Sequence, residues 1–173
     1  QDNSDSRFEL DDQTLERLKG LGYVGGSVHE DFGFDKNKDD PKDFIHIHNA
    51  FQEASELDFQ NKHDQAKAIC KELISQRPQF LETSFFMASR SIDEGDYTAA
   101  VNYLKIPLKL KPDNFRAQHE MGIALALLGK YDQAVEHFKK ALLIRPNDHK
   151  TINSLATALL WQEKYSEAIG YFN

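Results

Sequence analysis

The chain has 173 residues, of which 40% are hydrophobic and 28% charged, a balance typical of globular domains. Its formal net charge of −7 argues against nucleic acid as a partner, because phosphate binding needs a basic face. The sequence contains no run of apolar residues long enough to predict a membrane span. A single cysteine excludes a disulfide within the chain and leaves the redox compartment open.

Residues 1–40 are predicted to form an N-terminal arm. Asp11 or Asp12 can cap a short helix at about 11–20, which stops at Gly20. The connector that follows is rich in aromatic residues, which usually dock on another surface. These residues are Tyr23, Phe32 and Phe34.

A 34-residue period organises the rest of the chain. Pro78, Pro112 and Pro146 are each 34 residues apart, the period of one class of helical repeats. A first helix is expected to start at Asp40-Pro41, where an N-cap residue precedes proline at the first helical position. Registered on the prolines, residues 41–173 contain four repeats, the last of them truncated: 47–80, 81–114, 115–148 and 149–173.

Small residues recur at two positions of each repeat, where the two helices of a hairpin come closest and only a small side chain fits. A larger apolar residue recurs further along the second helix. The eighth positions hold Ala54, Ala88, Gly122 and Ala156, the twentieth hold Ala66, Ala100, Ala134 and Ala168, and the twenty-fourth hold Cys70, Leu104, Phe138 and Phe172. Each repeat is therefore predicted to be a helix hairpin.

The turns and helix breakers predict where the helices lie. Asp96 is expected to cap the second helix of repeat 2, and Pro107 is expected to kink that helix by removing a backbone donor. Repeat 4 holds only the beginning of its second helix, so an apolar face is expected to stay open. The predicted helices span about 41–59, 64–76, 80–93, 97–110 and 148–162, and repeat 3 is a hairpin that turns at 128–130.

This register of prolines and small residues resembles the tetratricopeptide repeat in all four units. The resemblance implies an all-α, right-handed α-solenoid of antiparallel helix hairpins that binds a protein or peptide on its concave face. In that family, five positions of each first helix face the groove. The groove candidates are therefore His48, Phe51, Ser55, Asp58 and Phe59; Glu82, Phe85, Ser89, Ile92 and Asp93; Arg116, His119, Ile123, Ala126 and Leu127; and Lys150, Asn153, Thr157, Leu160 and Trp161.

Apolar groove candidates cluster in repeats 1 and 2. Phe51, Phe85 and Ile92 are expected to form an exposed apolar patch, which usually marks a binding surface. An external peptide and residues 23–34 of the chain's own arm are both candidate occupants. A tethered segment acts at high effective concentration, which favours the arm.

Charge at the groove candidates is divided, acidic in repeats 1 and 2 and basic in repeats 3 and 4. Arg116 and Lys150 are therefore expected to stay open to an acidic partner. The family's carboxylate clamp uses Lys and Asn at two positions where this chain has Phe51 and Ser55. Recognition of that kind is not expected here.

Two short stretches resemble the junction between the sulfatase domain and the tetratricopeptide repeats of bacterial sulfatase-family proteins. They are Leu18 with Leu21-Gly22-Tyr23-Val24, and Asp40-Pro41-Lys42-Asp43. The resemblance implies an accessory C-terminal domain beside a sulfatase domain, in the periplasm or secreted. An N-terminal helix with an aromatic anchor is the alternative interpretation. Because the chain stops inside a predicted helix, we expect it to be excised from a longer protein.

No catalytic residue, metal site or cofactor is predicted. His46 and His48 are two residues apart, which on a helix directs the rings about 200° apart. Residues 35–39 copy the first half of a calcium loop, but Asp40 stands where that loop needs glycine. The sulfatase nucleophile lies in a Cys/Ser-x-Pro-x-Arg motif, whereas Cys70 precedes Lys-Glu-Leu at a core position. This cysteine is expected to serve packing alone.

Overall fold

The computed structural model describes residues 41–172, with side-chain surroundings for residues 45–171. This part of the chain forms eight α-helices and contains no strand. The helices are α1 Pro41–Phe59, α2 His63–Gln76, α3 Leu81–Asp93, α4 Tyr97–Leu110, α5 Phe115–Leu127, α6 Tyr131–Ile144, α7 His149–Trp161 and α8 Tyr165–Phe172. The predicted arm at 1–40, its helix at about 11–20 and the calcium-like stretch lie outside the described residues. None of the described helices is long and apolar enough to cross a membrane.

Each helix packs mainly on the helices next to it in sequence. Pairs such as α3–α4 and α5–α6 form the hairpins, and contacts such as α4–α5 and α6–α7 stack one hairpin on the next. A core built from neighbour-to-neighbour layers is typical of a solenoid. The predicted all-α solenoid of helix hairpins is confirmed.

The helix bounds differ from the predicted ones by a residue at some ends. Helix α2 starts at His63 instead of Asp64, and α3 starts at Leu81 instead of Phe80. Helix α4 continues through Pro107 to Leu110, and the proline is buried. Pro107 lies in the last turn of its helix. Few helical residues therefore follow the position at which proline lacks a backbone N–H donor.

The turn inside each hairpin contains one residue in the left-handed backbone region. These residues repeat with the period of the chain: Asn61 (φ 61°), Gly95 (φ 79°), Gly129 (φ 74°) and Glu163 (φ 61°). The following residue donates a backbone hydrogen bond to the carbonyl five positions earlier, as the N–H of Lys130 does to Leu125 at 2.9 Å. Glycine and asparagine adopt this conformation readily, whereas the Cβ atom of Glu163 makes it costly.

Three helices begin at a side chain that accepts a hydrogen bond from the backbone N–H three residues later. These caps are Asp96 for α4, at 2.9 Å, and Asn114 for α5 and Asp148 for α7, each at 2.8 Å. Each cap satisfies a donor that has no partner within the helix. The predicted cap at Asp96 is confirmed.

The predicted positions of close helix approach are buried throughout the solenoid. The alanines at the eighth and twentieth positions of the repeats are all fully buried, and so are Cys70 and Leu104. At Gly122 the approach leaves no room for a side chain, because a Cβ atom there would lie 2.5 Å from Cε1 of Phe138. Because Gly122 has no Cβ atom, Phe138 on α6 packs directly against α5 and is buried.

The contact between Gly122 and Phe138 predicts a cost for Gly122→Ala. The added methyl group overpacks the helix contact, and we expect the free energy of unfolding to fall by about 1–3 kcal/mol. Thermal or urea unfolding of the purified chain measures the change. Gly170→Ala is the matched control, because Gly170 is also helical and a Cβ atom there meets nothing within 4 Å. That control should be neutral or stabilising, since alanine favours helix.

The strained turn at Glu163 predicts a gain for Glu163→Gly. Glycine removes the steric cost of the left-handed conformation, and we expect stability to rise by about 0.5–1 kcal/mol. Glu167→Gly, at an exposed position inside α8, is the control and should lower stability by a similar amount. Equal destabilisation by both substitutions in urea unfolding would contradict the strain at Glu163.

Candidate functional site

A cleft opens between α5 and α7, the first helices of repeats 3 and 4. Its volume is about 470 Å³. The lining side chains come from three helices: Ile123, Ala126 and Leu127 from α5, Tyr131 and Phe138 from α6, and Asn153, Ser154, Thr157, Ala158 and Trp161 from α7. We call this feature the α5–α7 cleft.

The cleft exists because α5 and α7 both pack on α6 and make few contacts with each other. Short side chains face the gap, among them Ala126 and Ala158, so the two helices do not close it. Tyr131 stacks on Trp161, with ring centroids 6.0 Å apart and ring planes 9° apart. This stack joins the start of α6 to the end of α7 at one end of the cleft.

Helix α7 contributes three polar side chains to the cleft: Asn153, Ser154 and Thr157. The Thr157 hydroxyl donates to the Asn153 carbonyl at 2.8 Å, and the Ser154 hydroxyl donates to the Lys150 carbonyl at 2.9 Å. Both hydroxyl hydrogens are thus used within the helix. The Asn153 side chain is exposed at the cleft wall, where its amide group can donate and accept.

The structure brings together some of the groove candidates of repeats 3 and 4. These residues lie in the middle and at the ends of their helices. Those that line the α5–α7 cleft are Ile123, Ala126, Leu127, Asn153, Thr157 and Trp161. Leu127 is 45% exposed and Trp161 is 65% exposed. Leu160 is exposed but does not line the cleft.

Sequence reasoning missed the α6 side of the cleft, Tyr131 and Phe138, together with two small residues of α7. A signal for Tyr131 was present, since Tyr97, Tyr131 and Tyr165 each begin the second helix of a repeat. A side chain at that position lies at the hairpin turn, where the neighbouring first helix ends.

The expected apolar patch in repeats 1 and 2 is wrong for Phe85. Phe85 is only 3% exposed, and the guanidinium of Arg116 lies over its ring at 4.1 Å from the centroid. Phe51 is half-buried and packs edge-on against Phe80, with centroids 5.4 Å apart. Ile92 is partly buried against the central core. These side chains pack the solenoid and leave no open patch.

The remaining candidates of repeats 1 and 2 are dispersed. Phe59, at the end of α1, is 89% exposed. Ser55 donates its hydroxyl hydrogen to the Phe51 carbonyl at 2.9 Å. His48 and Glu82 are half-buried, and Ser89 and Asp93 are exposed.

The predicted division of charge between the repeats is largely offset, because charged groove candidates pair with neighbouring side chains of opposite charge. Arg116 donates from Nε to Glu120 at 2.7 Å. Burial raises the pKa of Glu120, and the hydrogen bond from Arg116 opposes that shift. Asp58 lies 2.7 Å from the His63 ring and 3.6 Å from the Arg90 guanidinium. The Arg116 side chain is still 54% exposed and Lys150 is exposed, so the expectation that both stay open to an acidic partner remains a prediction.

A set of hydrogen-bonded side chains connects α5 to α7 beside the cleft. The Thr151 hydroxyl lies 2.8 Å from Nδ1 of His119 and 2.7 Å from an Asp148 carboxylate oxygen. Burial lowers the pKa of His119, while the charge of Asp148 partly opposes that shift. The hydrogen bonds from Thr151 lower the pKa of Asp148. His119, a groove candidate, thus serves a contact between two helices.

The thiol of Cys70, the other candidate reactive group, serves packing. Burial raises the pKa of the Cys70 thiol to about 12, with a smaller contribution from the charge of Asp58. A thiol held neutral in this way is a poor nucleophile near neutral pH. No cluster of three metal-ligating side chains occurs among the described residues.

Comparison with known proteins identifies the fold. Residues 115–148 match the tetratricopeptide repeat family. A solved structure of MamA from AMB-1 is 22% identical, covers 81% of this chain and 73% of its own, and gives a TM-score of 0.64. MamA from MSR-1 is 22% identical over 91% of this chain and 82% of its own, with a TM-score of 0.64. A MamA fragment from Desulfovibrio magneticus RS-1 is 17% identical over 73% and 71%, with a TM-score of 0.66.

These similarities show that the chain has the all-α, tetratricopeptide-like solenoid fold, with repeat 3 as a recognised tetratricopeptide repeat. A search of curated proteins gave no significant match to the sequence. The family match lies in repeat 3, away from the stretches that resemble the sulfatase junction.

The lowered pKa of His119 predicts that acid destabilises the solenoid. Its folded-state pKa lies below the ordinary value of 6.5, so the unfolded chain binds the proton more tightly. The stability contributed by neutral His119 is present above that value and is lost as the pH falls toward the folded-state pKa. We expect the melting temperature to drop from about pH 7.5 to about pH 5.5, and to drop less in His119→Gln. His149→Gln, at an exposed position, should retain the wild-type pH dependence.

Proposed function

We propose that this chain is a non-catalytic protein-interaction module that binds an extended segment of a partner protein in the α5–α7 cleft. The observation that carries the proposal is a cleft with two large exposed apolar side chains, Leu127 and Trp161, in its lining. Large exposed apolar side chains that share one concavity are typical of binding sites. The resemblance to tetratricopeptide repeats, whose usual role is protein binding, supports the same assignment.

Burial and hydrogen bonding both favour a peptide in this cleft. Covering Leu127 and Trp161 removes apolar surface from water, which stabilises a complex by about 25 cal/mol per Å². The exposed amide of Asn153 can donate to and accept from a peptide backbone, which carries one donor and one acceptor per residue. An extended segment presents those backbone groups along its whole length.

Trp161 provides a direct measurement, because it is the only tryptophan of the chain. A random peptide library displayed on phage supplies candidate ligands, and their dissociation constants follow from the change in Trp161 fluorescence. We expect Leu127→Ala to weaken selected peptides by about tenfold, the effect of losing about 1.4 kcal/mol at a groove contact.

Leu110→Ala is the matched control for this measurement. Leu110 is 49% exposed, close to the 45% of Leu127, and lies outside the cleft at the end of α4. The control should bind selected peptides as the wild type does. Equal weakening by both substitutions, or none by Leu127→Ala, would place the binding surface elsewhere.

The chain's own arm, expected from the sequence to cover the apolar side chains of repeats 1 and 2, is the other candidate occupant of a groove. A chain lacking residues 1–36 separates the two proposals. If selected peptides bind the shortened chain more tightly, the arm competes with them; if the affinity is unchanged, the groove accepts only external segments. The same deletion should raise binding of a hydrophobic dye if the arm covers apolar surface.

A second candidate function is that of an accessory domain beside a sulfatase-type catalytic domain. It rests on the resemblance of Leu18, Leu21–Val24 and Asp40–Asp43 to the sulfatase junction. Sequencing the codons that precede Gln1 in the parent gene tests it. A preceding domain with a Cys/Ser-x-Pro-x-Arg motif supports this function, and a start codon immediately upstream removes it.

A further inference from the structure

We infer that the α5–α7 cleft selects its partner by an uncharged aromatic side chain, which inserts beside Trp161 while the neighbouring backbone bonds to Asn153. This inference rests on the proposed function and specifies the chemistry of its ligand. It predicts that phenylalanine, tyrosine or tryptophan anchors the bound segment, and that aspartate and glutamate are rejected at the same position.

The first support is the absence of charge in the cleft. No aspartate, glutamate, lysine, arginine or histidine lines the cleft. Asp132, next to Tyr131, accepts a hydrogen bond from the Gln162 amide at 2.9 Å and does not line the cleft. A carboxylate anchor would therefore lose water without gaining a partner, which strongly disfavours it.

The second support is the aromatic geometry. Trp161 is held by its stack on Tyr131, yet 65% of its surface is exposed. An incoming ring can therefore pack on Trp161 in an offset or edge-on arrangement, which aromatic pairs prefer. Because the stack already restrains Trp161, little rotamer freedom remains to be lost on binding.

The third support is size. The 470 Å³ volume of the cleft lies in the range of small-molecule binding sites, so the cleft has room for a large side chain together with part of its backbone. The interior is formed by Phe138 and Ala158, which give an apolar surface below the rim. An aliphatic anchor also fits such a surface, but it gains less from Trp161 than a ring does.

The contrast with a second concavity supports the assignment. A smaller cleft of about 280 Å³ lies between α1 and α2, and its lining includes His46 and Glu72. A basic side chain gains a partner there from Glu72. Selection for an uncharged aromatic anchor is thus a property of the α5–α7 cleft and not of every gap between helices of this solenoid.

The test uses the full chain and four capped amino acids: N-acetyl amides of phenylalanine, leucine, aspartate and lysine. Protein-observed NMR titration detects their weak binding and locates it by the shifts of cleft residues. We expect phenylalanine to bind more tightly than leucine, and the aspartate derivative to bind at least about tenfold more weakly than phenylalanine.

Two variants sharpen the test. Trp161→Leu keeps an apolar lining but removes the ring, so the preference for phenylalanine over leucine should disappear. Leu127→Lys places a positive charge on the exposed rim and should make the aspartate derivative bind better than the lysine derivative. Leu110→Lys adds the same charge at a similarly exposed position outside the cleft and should leave the wild-type order intact.

Each outcome decides between the two proposals. Comparable binding of the aspartate and phenylalanine derivatives, or shifts outside the cleft, would overturn the inferred anchor. The proposed function would survive that result if library peptides still depend on Leu127. Loss of the aromatic preference in Trp161→Leu, with the order retained in Leu110→Lys, would support the anchor.

Discussion

The close approach of the two helices within each hairpin is the constraint on which the rest of this solenoid depends. In repeat 3 that approach leaves no room for a single Cβ atom between Gly122 and Phe138. The other repeats meet the same demand with fully buried alanines. Because these positions recur every 34 residues, each hairpin presents a similar surface to the next. Stacking then follows from a repeated local fit and needs no single central core.

The candidate binding site is a by-product of that stacking. Helices α5 and α7 both rest on α6, and the small side chains that suit close packing elsewhere are too short to fill the gap between them. The Tyr131–Trp161 stack then joins adjacent repeats at one end of the gap and leaves a large part of the indole exposed. The same side chain thus contributes to the order of the solenoid and to the surface on which the proposed partner binds.

The charged groove candidates are less available to a charged ligand than their positions in the sequence suggest. Arg116 is engaged by Glu120 and by the Phe85 ring, and Asp58 is engaged by His63 and Arg90. Such pairs on a partly exposed surface contribute little stability each, but they reduce the field available to attract a charged ligand. Shape and apolar contact are therefore the stronger basis for the recognition proposed for the α5–α7 cleft.

The amino-acid sequence by itself determined the helices, their turns and the positions of closest approach. Those features depend on neighbours within one repeat, such as Asp96 capping α4 or Gly129 closing a turn, and periodic spacing reveals them. Only the tertiary structure decided which groove positions are available. Phe85 and Arg116 are 31 residues apart, and their contact buries a ring that its position alone marks as exposed. Phe138 lines the cleft for a similar reason, since a site formed by three helices depends on packing distances that no local pattern encodes.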